Sequence, residues 1–131
     1  LYPFAVDLRR LDAAQSGLVV DAMLAAAQAD GTVDGRERER IAAALARIAP
    51  EASPEAHTAA IDAAVARRRP LGELLAPVRD VRTAALVYAG SLMAVDQRSR
   101  VNRAYLRYLA ARLALPEDLR ASLERRYRSS A

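Results

Sequence analysis

Four carboxylates near two turns of the chain have the residue types and the spacing of a divalent-cation site. Asp30, Asp34 and Glu37 follow the spacing of the second half of an EF-hand loop, with a glycine that allows the sharp turn. Ca²⁺ and Mg²⁺ take several oxygen ligands, which a turn delivers from nearby positions. Asp96 stands at a second turn and is the candidate partner ligand. The pattern therefore predicts half of a cation site, which Asp96 would complete.

A second interpretation is that these residues cap a helix and bind no metal. The positions that supply the first two acidic ligands of an EF-hand loop hold Ala26 and Gln28, so a self-sufficient EF-hand is excluded. Asp34 and Glu37 are three residues apart, which is the spacing of a capping box. Helix capping is the commoner use of this spacing. We keep the cation site as the alternative.

A row of arginines in the C-terminal part of the chain is the second candidate site. Arg100, Arg103 and Arg107 are spaced i, i+3 and i+7, which places them on one face of a helix. Such a face could bind an anionic partner, either lipid headgroups or nucleic acid. The alternative is a solvated surface face. Residues 98–131 carry nine arginines and three acids, a net charge of +6, whereas residues 1–97 have a net charge of −2.

The chain shows no set of residues for catalysis. Without cysteine there is no thiolate nucleophile, no disulfide and no cysteine-type zinc site. The single histidine, His57, stands in the first turn of a predicted helix with no cysteine in the chain to pair with, and we expect it at the surface or at a boundary. The five glycines form no phosphate-binding loop. The sequence therefore predicts a protein that is not an enzyme, with a divalent cation, Ca²⁺ or Mg²⁺, as the only cofactor to consider.

Helices must position these residues. Hydrophobic residues make up 53% of the 131 residues and aromatic residues only 5%, so the core is built from Ala, Leu, Val and Ile. Such a composition favours close-packed helices, and no segment alternates with the period of a strand. Asp34, Asp80 and the pair Ser53-Pro54 indicate helix starts. We predict an all-α fold, a single compact bundle of about seven helices.

The chain divides into a short lead and a domain with an internal repeat. We predict residues 1–16 as an N-terminal lead that has room for some helix, and residues 17–131 as the helical domain. The helix, turn and helix around Asp30 are echoed by a helix, turn and helix around Asp96. The repeat predicts two pseudo-equivalent helix–turn–helix halves that face each other.

Three segments, in this order along the chain, resemble the TerB-like superfamily. They are residues 22–37 (AMLAAAQADGTVDGRE), 88–96 (YAGSLMAVD) and 103–116 (RAYLRYLAARLALP). The resemblance covers about residues 18–127, and within the superfamily the chain resembles most the YebE-type bacterial inner-membrane proteins of unknown function. It implies an all-helical domain and a link to bacterial stress or tellurite-resistance systems, often at the membrane. TerB has a divalent-cation site built from acidic turns, so the resemblance also implies such a site here.

The acidic turns match the TerB-like pattern only in part. Asp30, Asp34 and Glu37 match its first turn, and Asp96 matches the start of its second. Arginine and asparagine, at positions 98 and 102, stand where the YebE-type pattern has Asp and Glu. The departure bears on the cation site more than on the fold.

Two functions are therefore expected. The first is a non-enzymatic helical interaction module in a bacterial stress response or at the membrane, with a protein or a membrane surface as partner in preference to nucleic acid. The alternative is a divalent-cation-binding sensor that uses the acidic turns at residues 30–37 and 96. The longest apolar run, residues 84–95, is shorter than the roughly 18 residues of a membrane span. We expect a cytoplasmic protein, held at the cytoplasmic face of the inner membrane by a segment upstream of Leu1.

Overall fold

Seven α-helices make up the fold that the computed structural model describes, over residues 12–29 and 34–128, and those residues contain no strand. The prediction of an all-α bundle of about seven helices is confirmed. The helices are α1 (Ala13–Ala27), α2 (Gly35–Ile48), α3 (Pro54–Arg67), α4 (Leu71–Leu75), α5 (Val81–Ala94), α6 (Arg100–Arg112) and α7 (Glu117–Arg126).

Most of the helices begin at a side chain that caps the first turn. The Asp34 carboxylate accepts a hydrogen bond from the backbone N–H of Glu37 at 2.9 Å, as the capping interpretation predicts. The predicted caps Ser53 and Asp80 do the same for α3 and α5. Such caps satisfy backbone N–H groups that have no partner inside the helix. The side-chain caps are Asp12, Asp34, Ser53, Asp80 and Ser99.

The two apolar helices α1 and α5 pack along each other and form the centre of the bundle. Every residue from Ala84 to Leu92 is buried, so α5 is the buried central helix that its apolar run predicts. A Cβ atom added at Gly90 would lie 2.8 Å from Cγ1 of Val19. The two helices therefore approach closely because residue 90 has no side chain.

The other helices cover this central pair. Helices α3 and α4 contact α1, while α7 and α6 contact α5. The helix pairs α1–α2 and α5–α6 are the two halves of the repeat, and they face each other through α1 and α5. The carboxylate of Asp21, only 7% exposed, accepts a hydrogen bond from Nε of Arg67 at 3.1 Å, which ties α3 to α1.

The environment of His57 differs from the sequence prediction. Its residue surface is only 8% exposed, so the expectation of a surface or boundary histidine is wrong. One ring nitrogen, Nε2, lies 3.1 Å from the carbonyl oxygen of Ala49, directly after the end of α2. The first turn of α3 packs against the end of α2, and this packing buries the ring.

Helix α1 begins before the predicted start of the domain. It begins at Ala13 and continues without a break past Gly17. A Cβ added at Gly17 would meet no atom within 4 Å. The division of the chain at residue 17 stays a prediction. None of the helices in the described ranges combines the length and the hydrophobicity that crossing a bilayer takes.

Candidate functional site

The turn before α2 and the turn before α6 line one small pocket, which we call the acidic pocket. It has a volume of about 250 Å³, and Asp34, Glu37 and Asp96 are among its lining residues. The structure therefore brings together three of the four predicted metal ligands, from both halves of the repeat. The fourth, Asp30, lies outside the described residues.

The carboxylate of Asp96 is already occupied by an arginine. Nε of Arg98 donates to Oδ1 at 3.0 Å, Nη2 donates to Oδ2 at 3.1 Å, and the backbone N–H of Arg98 also donates to Oδ1. These hydrogen bonds lower the pKa of Asp96 to about 2. A cation at Asp96 would therefore have to displace the guanidinium of Arg98.

The remaining lining of the acidic pocket has mixed character. Arg36, Arg40 and Arg98 also line it, so among the described residues three guanidinium groups accompany three carboxylates. Asn102 is 6% exposed, and its Nδ2 donates to the carbonyl oxygen of Asp96 at 3.1 Å. Its Oδ1 is buried and accepts no hydrogen bond from the part of the chain that the structure describes. Within residues 12–29 and 34–128, no group of three or more acidic or histidine side chains is arranged to hold a metal ion.

A second pocket, which we call the arginine pocket, lies between α6 and α7 over the surface of α5. It has a volume of about 320 Å³. Arg103 and Arg107, two of the three arginines of the predicted stripe, line it, whereas Arg100 is exposed on α6 outside it. Two further arginines, Arg120 and Arg128, reach the pocket from α7 and its end. The pocket thus holds four guanidinium groups.

One carboxylate, that of Glu124, lies among these arginines. Its Oε2 accepts a hydrogen bond from the Tyr88 hydroxyl at 2.6 Å, and its Oε1 accepts one from Nη1 of Arg120 at 2.8 Å. Burial raises the pKa of Tyr88 well above its usual range, and the bond to Glu124 raises it further. Tyr88 therefore keeps its proton and holds Glu124 in place.

The four arginines differ in what they contact. Nη1 of Arg103 donates to the carbonyl oxygen of Arg98 at 3.2 Å, and Arg120 is paired with Glu124. Arg107 and Arg128 make no hydrogen bond or ion pair with another described residue. Within residues 12–29 and 34–128, these two guanidinium groups therefore have no hydrogen-bond acceptor.

Helix α6 also exposes apolar surface beside its arginines. Val101 is 49% exposed and Tyr108 is 51% exposed. The guanidinium of Arg112 lies over the Tyr108 ring, 5.6 Å from its centroid. Tyr105, half-buried on the same helix, has a hydroxyl without a hydrogen-bond partner among the described residues, and burial raises its pKa to about 12. The outward side of α6 is therefore basic and apolar together.

The residues that α7 contributes to the arginine pocket are not part of the stripe that the sequence predicts. Arg120, Glu124 and Arg128 have the spacing i, i+4 and i+8, which puts all three on one face of a helix. This spacing was visible in the sequence. That the face meets α6 follows only from the packing of α7 on α5.

A seven-helix, all-α domain with two facing helix–turn–helix halves is the class that the described residues define. The model of a family described as "Protein of unknown function (DUF533)" matches residues 8–127, so the chain belongs to this family, which is part of the TerB-like superfamily. No curated protein and no solved structure matches the chain.

Proposed function

We propose that this domain is a non-enzymatic interaction module that binds an anionic membrane surface through α6, in a bacterial stress response. One observation carries the proposal: α6 exposes Arg100, Arg103 and Arg107 beside the apolar side chains of Val101 and Tyr108. The resemblance to the YebE-type inner-membrane proteins supports the membrane and the stress context. The acidic inner leaflet supplies the negative surface at the cytoplasmic face.

The spacing on α6 allows basic and apolar residues to reach one surface together. Val101 and Tyr108 are seven residues apart, as are Arg100 and Arg107, so the two rows run side by side along the helix. Each arginine near an anionic leaflet contributes about 1 kcal/mol, which gives about 3 kcal/mol for the stripe. The valine and the tyrosine ring would enter the boundary between headgroups and acyl chains.

Apolar side chains distinguish this surface from a nucleic-acid interface. Nucleic-acid backbones are bound mainly by charge, and exposed valine adds nothing to that contact. A lipid interface uses both charge and apolar area. An acidic protein surface is the other partner that the same residues would bind, and the experiment below separates the two.

Vesicle co-sedimentation tests the proposal. We expect wild type to bind phosphatidylglycerol vesicles at low salt and to bind phosphatidylcholine vesicles weakly, with binding reduced by salt. Arg103→Glu with Arg107→Glu should abolish binding. The matched control, Arg79→Glu with Arg82→Glu, makes the same charge change outside α6 and should bind as wild type does. Equal loss in both variants would show that total charge, and not α6, is responsible, and absence of wild-type binding would favour a protein partner.

We propose divalent-cation sensing as a second candidate function, because a specific observation supports it. Asp34, Glu37 and Asp96 line one pocket together with Asn102, whose buried Oδ1 accepts no hydrogen bond from the described residues. Calcium takes carboxylate and amide oxygens together. Displacement of Arg98 from Asp96 would then couple binding of the cation to the conformation of the second turn.

A metal titration tests this second candidate. Amide signals of residues 34–37 and 96–102 should shift saturably with Ca²⁺ or Mg²⁺. Arg98→Gln should increase the affinity, because it removes the cation that now occupies Asp96. Asp96→Asn should remove the response. If no saturable shift appears by millimolar metal, the weak end of biological calcium sites, the candidate is wrong.

A further inference from the structure

We propose that the arginine pocket is a binding site for a phosphate monoester, and that the Glu124 carboxylate competes with the phosphate for the guanidinium groups. The proposal goes beyond membrane contact, because the site is a cavity and not the exposed face of α6. It shares Arg103 and Arg107 with that face. Arg120 and Arg128 line the pocket and are not part of α6.

The size and the walls of the pocket suit a small ligand. Its volume of about 320 Å³ is at the lower end of ordinary ligand sites. Leu92 and Leu106 form part of the lining, so the wall is not polar throughout. A phosphate group with a short carbon moiety would place the anion at the guanidinium groups and the carbons at the two leucines.

The positive charge of the pocket favours a ligand with two negative charges over a ligand with one carboxylate. Among the described lining residues, four guanidinium groups accompany one carboxylate, which is an excess of three positive charges. Arg107 and Arg128 have no hydrogen bond or ion pair within the described residues. Guanidinium groups bind phosphate with paired N–H donors, and a phosphate monoester carries nearly two negative charges at neutral pH.

Glu124 occupies part of the position that such an anion would take. Its two oxygens accept hydrogen bonds from Tyr88 and Arg120, which is how a bound oxyanion would be held. Tyr88 is 1% exposed and therefore fixed by the core. When an anion binds, Arg120 would exchange Glu124 for the ligand, while Tyr88 keeps its bond to Glu124. Removal of the charge on Glu124 should therefore strengthen binding.

Titration with glycerol 3-phosphate, followed by calorimetry, tests the site. We expect saturable binding by wild type. Glu124→Gln should raise the affinity about fivefold, because a competing negative charge is lost close to the ligand. Arg107→Gln with Arg128→Gln should lower it at least about tenfold. The matched control, Arg125→Gln with Arg126→Gln, removes the same charge from exposed positions outside the pocket lining and should change it little.

Amide chemical shifts in wild type provide a test that needs no variant. Shifts on addition of glycerol 3-phosphate should concentrate at the segments that line the pocket, residues 88–97, 103–107 and 120–128. Shifts elsewhere, no saturable binding, or a lower affinity in Glu124→Gln would overturn the proposal.

Vesicles of phosphatidylcholine with phosphatidic acid present the same phosphate monoester on a lipid. If wild type binds both these vesicles and glycerol 3-phosphate, and Arg128→Gln weakens both, the results support the phosphate site in the pocket. The lipid is then one source of the ligand. Binding of glycerol 3-phosphate alone supports it with a soluble ligand. Vesicle binding that Arg128→Gln leaves unchanged, without binding of glycerol 3-phosphate, would overturn the pocket and leave the membrane contact of α6 standing. Val101→Ser with Tyr108→Ser should weaken only the membrane contact.

Discussion

Replacement of Gly90 by alanine tests the close contact between the two central helices. The new Cβ would lie 2.8 Å from Cγ1 of Val19, a distance that real Cβ contacts do not show. Val19 is β-branched and only 1% exposed, so it has few other rotamers and no space to enter. Overpacking of a core costs about 1–3 kcal/mol. The gain from replacing a helical glycine by alanine is about 1 kcal/mol, so we expect a net loss of up to about 2 kcal/mol.

Gly17→Ala is the matched control for this experiment. The same change in α1 meets no atom within 4 Å, and we expect it to stabilise the protein by about 0.5–1 kcal/mol. Urea unfolding, followed by far-UV circular dichroism, measures the free energy of unfolding of each variant. In the double variant Gly90→Ala with Val19→Ala, the loss of unfolding free energy should be smaller than the sum of the two single losses. The shorter side chain at position 19 opens the space that the new methyl group needs. Gly90→Ala as stable as Gly17→Ala would refute the close contact.

Three further changes test individual contacts. Asp34→Ala should cost about 1 kcal/mol of unfolding free energy, because α2 loses its cap, while Asp34→Asn should cost much less; equal losses would contradict the capping role. The pKa of Asp96 is lowered from 3.8 to about 2, so its bond to Arg98 stabilises the fold above about pH 4, and this stabilisation is lost as the pH falls toward 2. Arg98→Gln should flatten the stability curve over that range, and an unchanged curve would contradict the pairing. His57→Leu should cost about 1 kcal/mol, because the ring no longer bonds the carbonyl of Ala49, and faster amide exchange should appear at the end of α2. Unchanged exchange there would contradict the contact.

Local features of the fold could be predicted because their causes are local. Asp34, Asp80 and Ser53 each cap a helix through a backbone N–H three residues later, and that geometry needs no distant residue. The burial of α5 follows from an apolar run that leaves no polar face. The repeat, in which Asp96 corresponds to Asp30, also predicted that the two turns lie close together, and the turns before α2 and α6 do line one pocket.

Features that depend on packing between helices could not be predicted in the same way. The sequence shows arginine at position 98 beside Asp96, but not that the guanidinium takes both carboxylate oxygens. The bond from Tyr88 to Glu124 joins residues 36 positions apart, so the arginine pocket becomes visible only when α7 packs on α5. His57 is buried for a similar reason, because the orientation of α3 on α2 decides its exposure.

Fluorescence of a tryptophan at position 108 measures directly whether α6 binds an anionic membrane surface. The chain contains no tryptophan, so Tyr108→Trp places a single reporter at an exposed position of α6. We expect a blue shift of its fluorescence with phosphatidylglycerol vesicles, no shift with phosphatidylcholine vesicles, and loss of the shift at high salt or with Arg103→Glu and Arg107→Glu. An emission spectrum that anionic vesicles leave unchanged at low salt would contradict membrane binding by α6.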